Sequence, residues 1–307
     1  MRVLIKTFFL MGLLAASPLP AYAKLNVVAT TPDLGSIVRE IGGDRVEVTS
    51  LAKGTEDPHF VDAKPSFIRI LNQADALIEG GADLEVGWLP PLILNARNSK
   101  IQLGQPGRIV AAEVIRLLEI PTGPIDRSLG DVHPFGNPHL TLDPLNGKLI
   151  AGRVKERLCM LSTPDCPVFT ANAKQFEEKI DSRLALWQKQ MAPLRGTKVV
   201  TYHKSYSYLA ERFGLQVVNT IEPKPGIPPS ASHVRDLVAQ MKAEGVALIL
   251  LEPNRERKTP AFLSQETGAR VVLIPSMVGG AKEAGDYLAL FEHIVKTMLE
   301  AMKERQP

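Results

Sequence analysis

The chain has 307 residues, with 36 Lys or Arg against 33 Asp or Glu, and 45% of it is hydrophobic. A formal charge of +3 spread over that length leaves no case for nucleic acid or an anionic membrane as partner, since such footprints need clustered basic charge. The length suffices for two lobes around a sizeable core.

Arg2 and Lys6 precede an apolar run over 7–16 that is too short to span a bilayer. Ala21-Tyr22-Ala23 then offers the small-x-small pattern of a signal-peptidase site. Cleavage is expected after Ala23, so 1–23 is read as a signal peptide and the mature chain as exported, most simply to a bacterial periplasm. No cysteine stands near that point, which argues against a lipid anchor. Loss of Arg2 and Lys6 would leave 34 basic against 33 acidic groups.

From there, strand and helix signals alternate. Strands are expected over 25–30, 46–51 and 76–78, the last ending at Gly80-Gly81, with helices over 32–41 and 66–73. A Pro/Gly-rich loop over 130–144 leads into a helix that begins near Leu145. Cys159 and Cys166 follow; in an oxidising compartment they read as a structural disulfide, with two unpaired thiols as the alternative. Over 171–191, Phe176, Ile180, Leu184 and Trp187 recur at spacings of four, four and three, which is one face of a helix stopped by Pro193 and Gly196. Strands over 198–201, 217–219, 247–251 and 271–274 then alternate with helices over 206–213 and 233–244 and one before 271. A helix over 287–303 follows. Strands alternating with helices imply parallel βαβ units. The expected fold is α/β, with two mainly parallel lobes over 24–168 and 195–307; the helix over 169–194 between them reads either as one more crossover helix or as a backbone helix that links the lobes.

Three of the six histidines stand out against that frame. His59 and His139 follow proline in Asp57-Pro58-His59 and Asn137-Pro138-His139, and His203 follows the strand over 198–201. Ligands of open parallel sheets bind beyond the carboxyl ends of the strands. Imidazole is the commonest protein ligand for late first-row metals, so three from distant segments suggest a metal site between the lobes. Taken singly, each is an ordinary loop histidine. His233, near a helix start, and His293, beside Lys296 and Thr297 on its helix face, read as surface residues. Asp143-Pro144 reads as the turn into the helix near Leu145, with a bond from Asp143 to an imidazole as a secondary option. Asp57 is a candidate to orient His59.

Several segments, in order, resemble the zinc/manganese solute-binding proteins of ABC transporters (cluster A-I, zinc type). They are Asp57-Pro58-His59 with Lys64-Pro65-Ser66, the run Asn137-Pro138-His139-Leu140-Thr141-Leu142-Asp143-Pro144, and Tyr202-His203 with Tyr208-Leu209-Ala210-Glu211-Arg212-Phe213-Gly214-Leu215. The likeness covers essentially the whole mature chain. It implies two α/β lobes on one long helix, His59, His139 and His203 as metal ligands, Zn²⁺ as transported ligand, and an inner-membrane permease as partner of a monomer. Histidine at the third position resembles the zinc members, and three nitrogens favour zinc or copper over manganese.

One position departs from the family. Where many members carry an aspartate as fourth ligand, this chain has Pro275, followed by Ser276-Met277-Val278-Gly279-Gly280. Water, Glu252 after the strand over 247–251, or His133 are the candidates for the vacancy, and His133 can instead guard the entrance. Without a charged fourth ligand, binding is expected to be weaker or faster to release. Release is expected from a modest shift of the lobe that carries His203. The rival from another class is a zinc hydrolase, whose metal also keeps an open position. No His-Glu-x-x-His motif or nucleophile elbow accompanies the histidines. A metal buffer, or a manganese-binding or adhesin-type relative, would share the fold.

Overall fold

The computed structural model describes residues 23–123, 133–224 and 226–303. The leader expected over 1–23 therefore lies, except for Ala23, outside the described residues, as do residues 124–132.

Two four-stranded parallel sheets form the frame. The first holds β1 (Leu25–Ala29), β2 (Val46–Ser50), β3 (Ala76–Glu79) and β4 (Arg108–Val110) in the order β2-β1-β3-β4. Its helices are α1 (Pro32–Gly42), α2 (Pro65–Asn72), α3 (Leu89–Ala96) and α4 (Pro144–Leu161). After α5 (Cys166–Met191), the second sheet repeats the pattern. It holds β5 (Lys198–Thr201), β6 (Gln216–Thr220), β7 (Leu248–Leu251) and β8 (Arg270–Leu273) in the order β6-β5-β7-β8. Here the helices are α6 (Ser207–Phe213), α7 (Ala231–Glu244), α8 (Lys258–Thr267) and α9 (Tyr287–Lys303). The two-lobed α/β architecture expected from the sequence is present.

Strand composition explains the layering. Leu248-Ile249-Leu250-Leu251 is buried throughout, as befits an inner parallel strand covered on both faces. Side chains alternate across such a strand. Leu248 and Leu250 face one core, which also takes Val27, Ala29 and Val199. Ile249 and Leu251 face a smaller cluster with Leu237, Met241 and Leu263. Val28 and Leu77 turn the other way in the first sheet, into a cluster with Leu71, Trp88 and Leu92. Each sheet thus has a private outer core, while the inner faces share one continuous core across both lobes.

Helix α5 runs through that shared core. Its 26 residues span about 39 Å. Phe169, Ala173, Phe176, Ile180, Leu184, Trp187 and Met191 are all buried, so the apolar stripe seen in the sequence extends about two further turns toward the amino end. The helix packs on α1, α4 and α9. A disulfide between Cys159 and Cys166 joins the end of α4 to the start of α5.

Backbone also meets backbone across the lobes. An added Cβ at Gly54, in the loop after β2, would lie 2.1 Å from the carbonyl oxygen of Val278 and 2.4 Å from the carbonyl carbon of Gly279. The Val278 N–H donates to Asp33 Oδ1 at 2.6 Å, and Thr141 Oγ1 donates to Oδ2 at 2.7 Å. Burial pushes the Asp33 carboxyl up to about 6. Neither backbone can yield to a methyl as a flexible side chain can. Gly54→Ala is expected to cost about 1–3 kcal/mol of stability, read as a lower urea midpoint of the metal-free protein. An unchanged midpoint would mean that these loops do not touch in solution.

Candidate metal centre

The two Xaa-Pro-His segments share one local device. Asp57 Oδ1 accepts the His59 backbone N–H at 3.0 Å, and Asn137 Oδ1 accepts that of His139 at 2.9 Å. An Asx side chain that bonds the N–H two residues on makes a compact turn, and the proline between needs no donor partner. Both rings are thereby aimed by short-range chemistry. Trp88 Nε1 donates to the Pro58 carbonyl at 2.9 Å and fixes the first loop on its lobe. The Asn137 amide donates to the Lys204 carbonyl at 2.8 Å, which ties His139 to the segment that follows His203.

His203 lies just beyond β5, at the carboxyl edge of the second sheet. Glu222 occupies the same edge beyond β6. His203 Nδ1 lies 2.8 Å from Glu222 Oε2, and a neutral ring that donates its Nδ1–H to that carboxylate presents Nε2 as a lone pair on the side away from it.

The three Nε2 atoms converge. His139 Nε2 lies 3.2 Å from His59 Nε2 and 3.1 Å from His203 Nε2. The rings meet edge to face, at 71° to 80°. Tetrahedral zinc with bonds of 2.0–2.1 Å spaces its ligand nitrogens by about 3.3 Å, close to the two separations seen here. A hydrogen-bonded imidazole pair would account for one such approach. With Nδ1 of His203 donating to Glu222, a neutral His203 presents a bare Nε2, and a third nitrogen at the same point favours a shared cation.

Burial prepares these rings for that role. It holds the His59 imidazole down to about 3, with Asp57 opposing and His203, His133 and Arg255 adding to the depression. The His139 imidazole lies well below the usual range, again chiefly through burial, with the neighbouring histidines reinforcing it. Both are neutral at pH 7 and carry lone pairs.

Three donors make up this group among the described residues, namely His59, His139 and His203. The candidates for a fourth lie close by but outside it. His133 stacks on the His59 ring, with centroids 4.9 Å apart and planes 20° off parallel. It also lines a cavity of about 70 Å³ with Glu119, His139, His203 and Lys204. Glu252 is buried beyond β7, where Oε1 accepts from Ser205 Oγ at 2.6 Å and Oε2 has no hydrogen-bond partner among the described residues. Its carboxyl is raised by burial.

Asp57, the candidate to orient His59, acts on its backbone N–H. Two other sequence expectations need correction. Asp143 accepts from Leu145 N as the cap of α4 and both its oxygens pair with Arg212; among the described residues neither bonds an imidazole. His233 is half-buried, with Nε2 3.1 Å from the Thr220 carbonyl. Glu222 was not singled out in the sequence. The strand-end rule that found His203 applies equally to Glu222, one strand over.

The chain is similar to known proteins along most of its length. The chain is 24% identical to the zinc-binding lipoprotein AdcA of Streptococcus pneumoniae over 94% of its own length, a match that spans 58% of that longer protein. It is also 24% identical to the high-affinity zinc uptake system protein ZnuA of Paracoccus denitrificans, over 94% of this chain and 95% of that one. A crystal structure of ZnuA superposes with a TM-score of 0.75 at 22% identity, covering 91% of this chain and 99% of the other, and so shows the same fold. The model of the zinc-uptake complex component A, periplasmic, matches residues 27–301. By that match, which takes in both lobes and all three histidines, the chain belongs to the periplasmic component A family of zinc-uptake complexes.

Proposed function

We propose that this chain captures Zn²⁺ between its lobes through His59, His139 and His203 and delivers it to an ABC permease in the inner membrane. It does so as a periplasmic monomer after removal of residues 1–23. Residues 24–168 and 195–307 serve as the lobes and 169–194 as the link. The observation that carries this reading is the convergence of three Nε2 atoms, at 3.1 and 3.2 Å, from loops on two lobes. A donor set of nitrogens alone suits zinc over manganese, which prefers oxygen. Water or a small anion completes the coordination. Carriage is favoured over hydrolysis by the state of Glu222, the carboxylate bonded to His203. It is also paired with Arg255 at 3.4 Å, so it orients a ligand rather than taking a proton from bound water.

Mass spectrometry under native conditions, with competition by a chelator, tests the reading. One zinc per wild-type chain, with tight binding lost in His59→Ala and in His203→Ala, is the expected result. An empty wild type, or affinity indifferent to both changes, rejects it.

The pH profile follows from the imidazoles. Protons compete with zinc only for nitrogens that hold them. A folded-state pKa lowered to about 3 for His59, and lowered well below the usual range for His139, means that few protons are displaced from these two between pH 7 and 5. Proton release there is expected to fall well short of three per zinc. Calorimetric titration in buffers of different ionisation enthalpy measures it, and release near three would mean the rings are solvated in the free protein.

A further inference from the structure

We infer that Arg255 is a positioning residue that fastens the loop carrying His59 to the second lobe and so governs how fast zinc leaves. The inference rests on the three-histidine zinc reading above. Arg255 lies beyond β7, and its guanidinium touches three elements of the site. Nη2 pairs with Asp57 Oδ2 at 3.0 Å, two residues before His59. Nη1 pairs with Glu222 Oε1 at 3.4 Å, on the carboxylate that orients His203. The guanidinium carbon stands 5.6 Å from the ring centre of Tyr202, the residue before His203. Its side chain is 18% exposed, and those of Asp57 and Glu222 are 16% and 7%, so water screens these pairs little.

The other two ligands are held differently. His139 and His203 belong to segments locked together through α6. Tyr208 OH donates to the Asn137 carbonyl at 2.8 Å, and the Leu118 N–H donates to Tyr208 at 3.1 Å. Arg212 holds both oxygens of Asp143, and Arg116 pairs with Glu211. Asn137 reaches the Lys204 carbonyl. The His59 loop meets the second lobe instead through Arg255 and the backbone approach at Gly54. Its outer face, at Phe60, is 65% exposed. These ties move the expected point of opening from the lobe that carries His203 to the loop that carries His59. The Arg255 fork spans both carboxylates, one on each side of the opening, so it holds the third nitrogen over the ion while the other two stay in place.

Asp57→Asn isolates the clasp. Asparagine keeps Oδ1 for the His59 N–H and places an amide where Oδ2 met the guanidinium. Zinc dissociation, followed by stopped-flow transfer to a chromophoric chelator, is expected to quicken about 10- to 100-fold in Asp57→Asn and in Arg255→Gln, with association little changed. Arg255→Lys should fall between, because one ammonium cannot serve both carboxylates as the fork does. In a His59→Ala background, Asp57→Asn should add nothing to the rate, since the ligand it positions is gone. A merely structural role would still speed release there, and that result overturns the inference. Zinc-binding wild type with unchanged release in Asp57→Asn overturns the clasp alone. Wild type that binds no zinc overturns both readings.

Discussion

His139→Ala is expected to lower zinc affinity on the order of 100- to 1000-fold while leaving the fold intact. Structural zinc sites gather about 10–16 kcal/mol from four ligands. One ligand therefore carries roughly 3–4 kcal/mol, and about 1.4 kcal/mol is tenfold in affinity. His139 is the hub of the group, since its Nε2 is the atom within 3.2 Å of both other nitrogens. Water can fill a vacated coordination position but supplies no tether between the lobes. The fold should survive because the groups that shape this segment are its neighbours. Asn137 makes the turn and bonds Lys204, and Asp143 caps α4 and binds Arg212. Chelator competition and the melting curve of the metal-free protein separate the two effects. Unchanged affinity would place zinc elsewhere, whereas a collapsed melting curve would make His139 a structural residue.

Much of this centre was legible in the chain because its determinants are local. Asp57-Pro58-His59 and Asn137-Pro138-His139 encode their own turns, and His203 follows a strand that reads clearly as Lys-Val-Val-Thr. What the sequence hid was pairing at a distance. Arg255 meets Asp57 across 198 positions of chain, and Glu222 meets His203 from the neighbouring strand end. Such partners are chosen by how the lobes dock, which no local pattern records. The same holds for Asp143, whose free oxygens were claimed by Arg212 of α6. In the fold, β4 and α3 escaped notice for plainer reasons. The strand has three residues, too few for a period, and α3 opens on Leu89-Pro90-Pro91, which reads as a breaker. Proline in the first turn forfeits no hydrogen bond, so the helix forms regardless.

Trp187→Ala is expected to cost about 3–5 kcal/mol, the range for deleting a large aromatic from a core. Trp187 is fully buried on α5, with its ring 5.5 Å from that of Phe291 on α9. The loss should be felt by both lobes at once, because the inner faces of both sheets belong to one apolar cluster that α5 and α9 complete. The variant supplies its own probe. Trp88, the other of the chain's two tryptophans, packs in the outer core of the first lobe and bonds the Pro58 carbonyl beside His59. In Trp187→Ala its fluorescence reports that lobe alone, while far-ultraviolet circular dichroism reports both. Coincident urea transitions would establish a single cooperative unit, and separated ones would show lobes that fold independently. Zinc sharpens the distinction. A ligand at a hundredfold excess over its Kd adds about 2.7 kcal/mol to whatever folds as one unit with its site. Since His59 and His139 stand on one lobe and His203 on the other, zinc should restore most of the lost stability to both transitions together. A rigid shared core of this kind concentrates the movement needed for release in the His59 loop, rather than in a hinge between lobes.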